Sequence, residues 1–177
     1  MKPLHWQTLR CELQEATLDD LGAVKEIWSS NAELNALLGP HGEWEDEARG
    51  SILHRELPPG GVTERSHYLV IRRRDDQVLL GTLGIYRGYP HERCVYIGSL
   101  FFQPQFHQQG YGSEVLRFLE DWSKAQGFCE QRLGVGTRNW GGLRFWYRMG
   151  YNRLTKISGT SDYAEDAFCN LELSKSL

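Results

Sequence analysis

Between residues 101 and 116 the chain reads FFQPQFHQQGYGSEVL. An apolar run gives way to Pro104, and the glycine pair Gly110 and Gly112 then opens a helical pattern. Such a junction suits an anion. The first amides of a helix lack intrahelical partners and carry the positive end of its dipole. Glycines let a phosphate approach those amides because no Cβ intervenes. Gln108 and Gln109 add side-chain donors, and Ser113 adds a hydroxyl in the first turn. A nucleoside triphosphate loop would need a lysine after its glycine, and none follows. A Rossmann dinucleotide loop would need a third glycine where Val115 stands, and normally follows the first strand of its unit. The pyrophosphate of coenzyme A fits the loop; so does a glycine-opened helix that holds no ligand.

A second stretch, RFWYRMGY (144–151), sets Trp146 beside Tyr147 just before Gly150. A phenol can hand on a proton, whereas an indole has only a donor N–H. At about 100° per residue the two side chains leave a helix on different bearings. Asn139 stands where it would cap that helix. Glu92 is the nearest acid before the apolar run 94–102, and its plain reading is a solvated loop carboxylate. EWEDE (43–47) reads either as a solvated helix face or as a mouth that attracts a cationic acceptor, with Trp28 and Trp44 as its aromatics.

Elements to position these groups follow from periodicity. Residues 9–17 alternate Leu9, Cys11 and Leu13 with polar neighbours, a half-buried strand. Thr17 and Asp20 form a capping-box pattern opening a helix carrying Leu18, Leu21, Val24, Ile27 and Trp28. Residues 31–56 read as a second helical region broken at Gly39-Pro40. Strands are predicted over 67–73 and 78–87, joined through Asp75-Asp76, and over 94–102, apolar enough for a sheet centre. A helix over 110–126 stops at Gly127. A strand at 132–137, a short helix at 140–149 and strands near 151–158 and 167–173 complete the order βααβββαβαββ. That order is α/β: a mixed sheet with helices on its faces.

The chain has 177 residues, 40% hydrophobic and 24% charged, and reads as a single domain over 1–177. A net charge of −3 argues against nucleic acid. The four cysteines and six histidines show no metal-binding spacing, which predicts reduced thiols and no metal site. No secretory leader pattern or apolar run of membrane-spanning length is present, so no membrane partner and a cytoplasmic location are expected.

The segment LFFQPQFHQQGYG resembles motif A of the GNAT N-acetyltransferase family, whose pattern is R/Q-x-x-G-x-G/A at a helix start. His107 stands where arginine or glutamine is usual. VGTRNWGGLRFWYRMGY (135–151) is similar to the family's strand, asparagine, short helix and closing glycine-aromatic pair. EATLDDLGAVKEIW and LLGTLGIYRG are similar to its first helix and third strand, so the likeness runs over nearly the whole chain.

The resemblance implies a mostly antiparallel sheet and transfer of an acetyl group from acetyl-CoA to the amine of a small molecule or peptide. Leu100, Phe101 and Phe102 would offer backbone groups to the pantetheine arm, with an amide near Phe102 at the thioester carbonyl. His107, Gln108, Gln109, Gly110, Tyr111, Gly112 and Ser113 would hold the pyrophosphate, and Asn139 the arm. A β-bulge that parts the sheet is expected at Gly98. The family's acid tyrosine stands four residues before the closing glycine. That position is Trp146, which would pack by the thioester; Tyr147 serves as acid only if the short helix is rotated. Glu92 is the candidate base. Without those groups the same fold would act as an acyl-CoA-binding sensor or interaction module. A homodimer is left open.

Overall fold

The computed structural model describes residues 3–31, 34, 42–53, 57–160 and 169–177. Its frame is one eight-stranded sheet in the order β1-β2-β3-β4-β5-β6-β8-β7. The strands are β1 (His5–Gln7), β2 (Cys11–Glu15), β3 (Ser66–Arg73), β4 (Leu79–Arg87), β5 (Cys94–Phe102), β6 (Glu130–Gly136), β7 (Arg153–Gly159) and β8 (Cys169–Ser176). Among the described residues only β5 and β6 pair in parallel. A parallel pair needs a crossover, and helix α3 (Tyr111–Ala125) provides it. The other described helices are α1 (Leu21–Ser30), α2 (Trp44–Leu53) and α4 (Trp140–Arg148). The expected mixed α/β order is present with β1 added in front. The predicted break at Gly39-Pro40 lies outside the described residues.

Strand β3 shows how the core divides. Leu69 and Ile71 join Leu13, Leu83, Val115 and Leu119 in one cluster, on the face covered by α3 and α4. Tyr68 and Val70 join Val24, Ile27, Ala48 and Ile52 in a second cluster, on the face covered by α1 and α2. Alternation along one extended chain thus feeds both faces. The turn into α1 is fixed as its sequence predicts: the Thr17 amide donates to Asp20 Oδ2 at 2.9 Å, and Arg72 reaches Asp20 Oδ1 at 2.6 Å.

The pairing of β5 is irregular in two places, and both shape the site. Against β4, Gly84 pairs with Ser99 and Ile85 with Ile97, so Gly98 is the extra residue of a bulge. Against β6, pairing runs from Cys94↔Glu130 to Ile97↔Leu133 and stops, although both strands continue. Beyond that rung the sheet is split.

Candidate functional site

The split opens into a cavity of about 690 Å³. Its floor is strand: Ser66, Tyr68, Tyr86, Tyr96 and Ser99 come from β3, β4 and β5. Cross-strand pairing puts Ser66 beside Tyr86 and Tyr86 beside Tyr96. Helices α1 and α2 form the roof with Trp28, Trp44, Glu47 and Ser51. At the split, Gly134 to Gly136 of β6, Asn139 and Trp146 close the far wall. The glycines keep this passage open. A Cβ on Gly84 would lie 2.6 Å from Ser99 Oγ, and one on Gly134 would lie 2.7 Å from Asn170 Nδ2.

On the other side of the split lies the glycine loop. Gln103 anchors it, its amide and side chain donating to the carbonyls of Leu80 and Leu79. A 3-10 turn over Pro104–Phe106 follows, and Gln108 (φ 59°) and Gly110 (φ 84°) take left-handed conformations that launch α3. Glu114 N–H is the first to meet a carbonyl of the new helix, Gly110 O at 3.0 Å. Among the described residues no backbone carbonyl accepts from the amides of 108 to 113. The result is a run of open donors at a positive helix end. The loop is braced from afar: Arg10 stacks 4.3 Å over Tyr111, donates to Gln109 O at 3.2 Å and holds Glu114 at 2.7 Å.

Helix α4 joins loop and cavity. Phe145 lies beside the first turn of α3, where a Cβ on Gly112 would stand 3.2 Å from its ring. Its neighbour Trp146 meets it at 5.1 Å and faces the cavity. Gly112 therefore serves close helix packing, while Gly110 serves backbone conformation. Asn139 caps α4, its Oδ1 accepting from Gly142 N–H at 2.8 Å, and it also lines the cavity.

The residues singled out from sequence thus fall into three groups. Leu100, Phe101, Asn139 and Trp146 line the cavity. His107 to Ser113 form the loop, although His107 Nε2 is turned inward to Phe102 O at 2.8 Å and the Tyr111 ring is buried. The same Phe102 carbonyl accepts from Asn31 Nδ2 at 3.1 Å, and the Phe102 ring packs in the core. Tyr147 and Glu92 stand apart from the cavity. Tyr147 is 67% exposed where Trp146 is 9% exposed, because the helix turns its next residue to solvent. Glu92 sits on the surface, its carboxylate 2.9 Å from Arg65 Nη1.

Sequence reading passed over Tyr96, and it held Glu47 only as one acid of EWEDE. Tyr96 looks like one more apolar strand residue, but its phenol borders the cavity. Burial first, then the Glu172 charge and the Tyr89 ring, push its pKa up to about 12. The phenol therefore stays protonated and acts as a hydrogen-bond donor. His67 also borders the cavity. It pairs through Nδ1 with Glu15, and its Nε2 is buried without a hydrogen-bond partner among the described residues.

The described residues contain no helix long and apolar enough to cross a membrane. His91, Cys94 and Glu130 lie within 4.8 Å of one another, but Glu130 is already held by Arg132 and Arg153. Two cations on one carboxylate oppose a third.

A search of curated protein sequences finds no match. Solved structures match over almost the full length. An acetyltransferase from Thermus thermophilus superposes with a TM-score of 0.71 at 17% identity, covering 97% of this chain and 100% of that one. The PaiA N-acetyltransferase of Thermoplasma acidophilum, in complex with coenzyme A, gives 0.64 at 18% identity, covering 96% and 100%. The ribosomal-protein-S18-alanine N-acetyltransferase of Escherichia coli gives 0.66 at 14%, covering 94% and 93%. At these identities the likeness is one of fold. The family model described as Acetyltransferase (GNAT) family matches residues 23–151, most of the chain and all of the split, loop and α4, so the chain belongs to the GNAT acetyltransferase family, whose cofactor is acetyl-CoA.

Proposed function

We propose that this protein moves the acetyl group of acetyl-CoA to a primary amine of a small molecule or peptide. One observation carries the reading: the unpaired strand edge beyond Ile97–Leu133 connects an amide-rich loop on one side with an aromatic cavity on the other. A donor and an acceptor can meet there from opposite directions. The residues fit the cofactor. From Gly98 to Leu100 the β6-facing edge of β5 has no strand partner and suits a pantetheine arm in β fashion, whereas the Phe102 carbonyl is already held by His107 and Asn31. The open amides of 108 to 113 suit a pyrophosphate, and Asn139 lines the cavity at the split. Acetyl-CoA supplies an acetyl group already activated as a thioester.

The chain's own contribution is then alignment and exclusion of water. Trp146 walls the reaction point with an apolar ring. Tyr96 donates a hydrogen bond toward it but holds its proton, because a phenol near 12 is a weaker acid than a thiol near ~8.5. In this reading Tyr96 hydrogen-bonds the thiolate as it leaves. The thiolate takes up through water the proton that the attacking nitrogen loses, so that amide and free thiol are the products. Tyr147 and Glu92 have no part in the step.

The test pairs calorimetry with CoA and a thiol-release assay with acetyl-CoA over a panel of primary amines. CoA binding together with amine-dependent thiol release is expected. CoA binding without thiol release on any amine would make the protein a CoA-binding module and overturn the reading.

A further inference from the structure

The cavity carries one fixed charge that the transfer reaction does not explain. Among its described lining residues Glu47 is the only acid, and no lysine or arginine stands with it. Its place on α2 is regular. Trp44, Glu47 and Ser51 form one stripe facing the cavity, while Ala48 and Ile52 turn into the core cluster. Its neighbours in the acidic stretch behave differently. Glu45 pairs with Lys25 at 3.4 Å and Arg49 at 3.5 Å, and Glu43 and Asp46 are exposed. Glu47 has a backbone donor, Gly42 N–H at 3.1 Å, and no cationic partner among the described residues. Around it stand Trp28, Trp44, Tyr68, Tyr86 and Tyr89. Aromatic faces carry negative potential and attract cations. A carboxylate within an aromatic wall is a site for an ammonium or guanidinium group.

We propose that Glu47 anchors a second cationic group of the acceptor, so that the preferred substrate is a primary amine bearing another positive centre. The proposal rests on the transferase reading of the same cavity. The anchored group is not the reacting one. An amine attacks only when neutral, and a carboxylate contact holds it protonated. Glu47 lies on the helical roof, whereas the split that admits the cofactor lies at β5 and β6. An acceptor with charge at one end and nucleophile at the other spans the two.

The probes are 1,4-diaminobutane and butylamine, equal in chain length and differing by one ammonium. With saturating acetyl-CoA, kcat/KM for the diamine is expected to exceed that for butylamine by about tenfold or more, the scale of one charge-assisted contact. Glu47→Gln is expected to bring that ratio to near one through the KM for the diamine. Calorimetry of diamine binding to the CoA-loaded protein gives an independent reading: binding to the native chain, and loss of about tenfold or more in affinity in E47Q. A native ratio near one, or a loss in E47Q that falls equally on both amines as kcat, would overturn the anchor. If neither these two nor any other amine of the panel is turned over, the transferase reading fails by itself. Diamine binding that E47Q weakens would then still uphold the anchor, and binding that E47Q leaves unaltered would end it.

Discussion

Ile97 and Leu133 are the last pair that β5 and β6 share, and one residue further the two strands run on unjoined. On the closed side of that rung the core continues through Val95 and its neighbours. On the open side the β6-facing donors and acceptors of residues 98 to 100 have no strand partner, and the Phe102 carbonyl is taken by His107 and Asn31. Buried backbone groups are otherwise satisfied almost without exception. The split is thus a binding edge built into the sheet.

Gly134 tests that edge. A Cβ there would stand 2.7 Å from Asn170 Nδ2 and 3.4 Å from the Tyr96 hydroxyl, so Gly134→Val narrows the passage while favouring strand backbone. CoA affinity is expected to fall about tenfold, near 1.4 kcal/mol, with no loss of melting temperature. Calorimetry and thermal unfolding on the same variant check both halves.

Gly81 tests the packing beneath it. A Cβ would lie 2.0 Å from the Phe101 carbonyl oxygen, and backbone cannot rotate away as a side chain can. Gly81→Ala is expected to cost about 1–3 kcal/mol or more in urea unfolding. Gly50→Ala in α2, where a Cβ meets nothing within 4 Å, is expected to gain about 0.5–1 kcal/mol. Equal effects from the two would contradict the close approach of β4 and β5.

Trp146 and Tyr147 separate by function as they do by exposure. Tyr147→Phe is expected to leave kcat within about twofold, since its phenol is turned to solvent and one exposed contact has little to contribute. Trp146→Phe retains an apolar ring but shrinks the wall, and is expected to raise the KM for acetyl-CoA. Steady-state kinetics on the two variants decide the matter.

Glu130 sets an acid limit. Burial alone would raise its carboxyl, but hydrogen bonds with His91 and Arg132 and the Arg132 charge outweigh this and hold it down at about 2. Arg153 adds a contact of 2.6 Å. A carboxyl depressed on folding contributes stability that is whole above its unfolded value of 4.5. That stability, about 3 kcal/mol here, drains away as the pH falls toward 2. Glu130→Gln is expected to be less stable near neutrality and to lose less between about pH 5 and 2 in a series of urea titrations.

Much of this architecture is legible in the residues because it rests on local rules. Thr17 with Asp20 announces α1, Gly110 and Gly127 bracket α3, and Asn139 starts α4. Gly98 was expected to bulge and does. What stayed hidden depends on distant partners. Strand β1 is three residues long, too short for a period of two to stand out in the sequence, and its Trp6 gains meaning only from Phe118 and Trp122 on α3. Arg10 braces the glycine loop through Glu114, a contact across most of the chain. Tyr96 reads as strand filler until cross-strand pairing sets it beside Tyr86. Glu47 is one acid of four in EWEDE, and only the packing of α2 tells it from the others.

The most direct test of the central claim is the chemical identity of the product. The protein, acetyl-CoA and 1,4-diaminobutane are incubated together and the mixture is analysed by mass spectrometry. An N-acetylated amide formed in step with free CoA thiol is expected. Bound CoA with no acetylated amine, across a panel of primary amines, would contradict the claim.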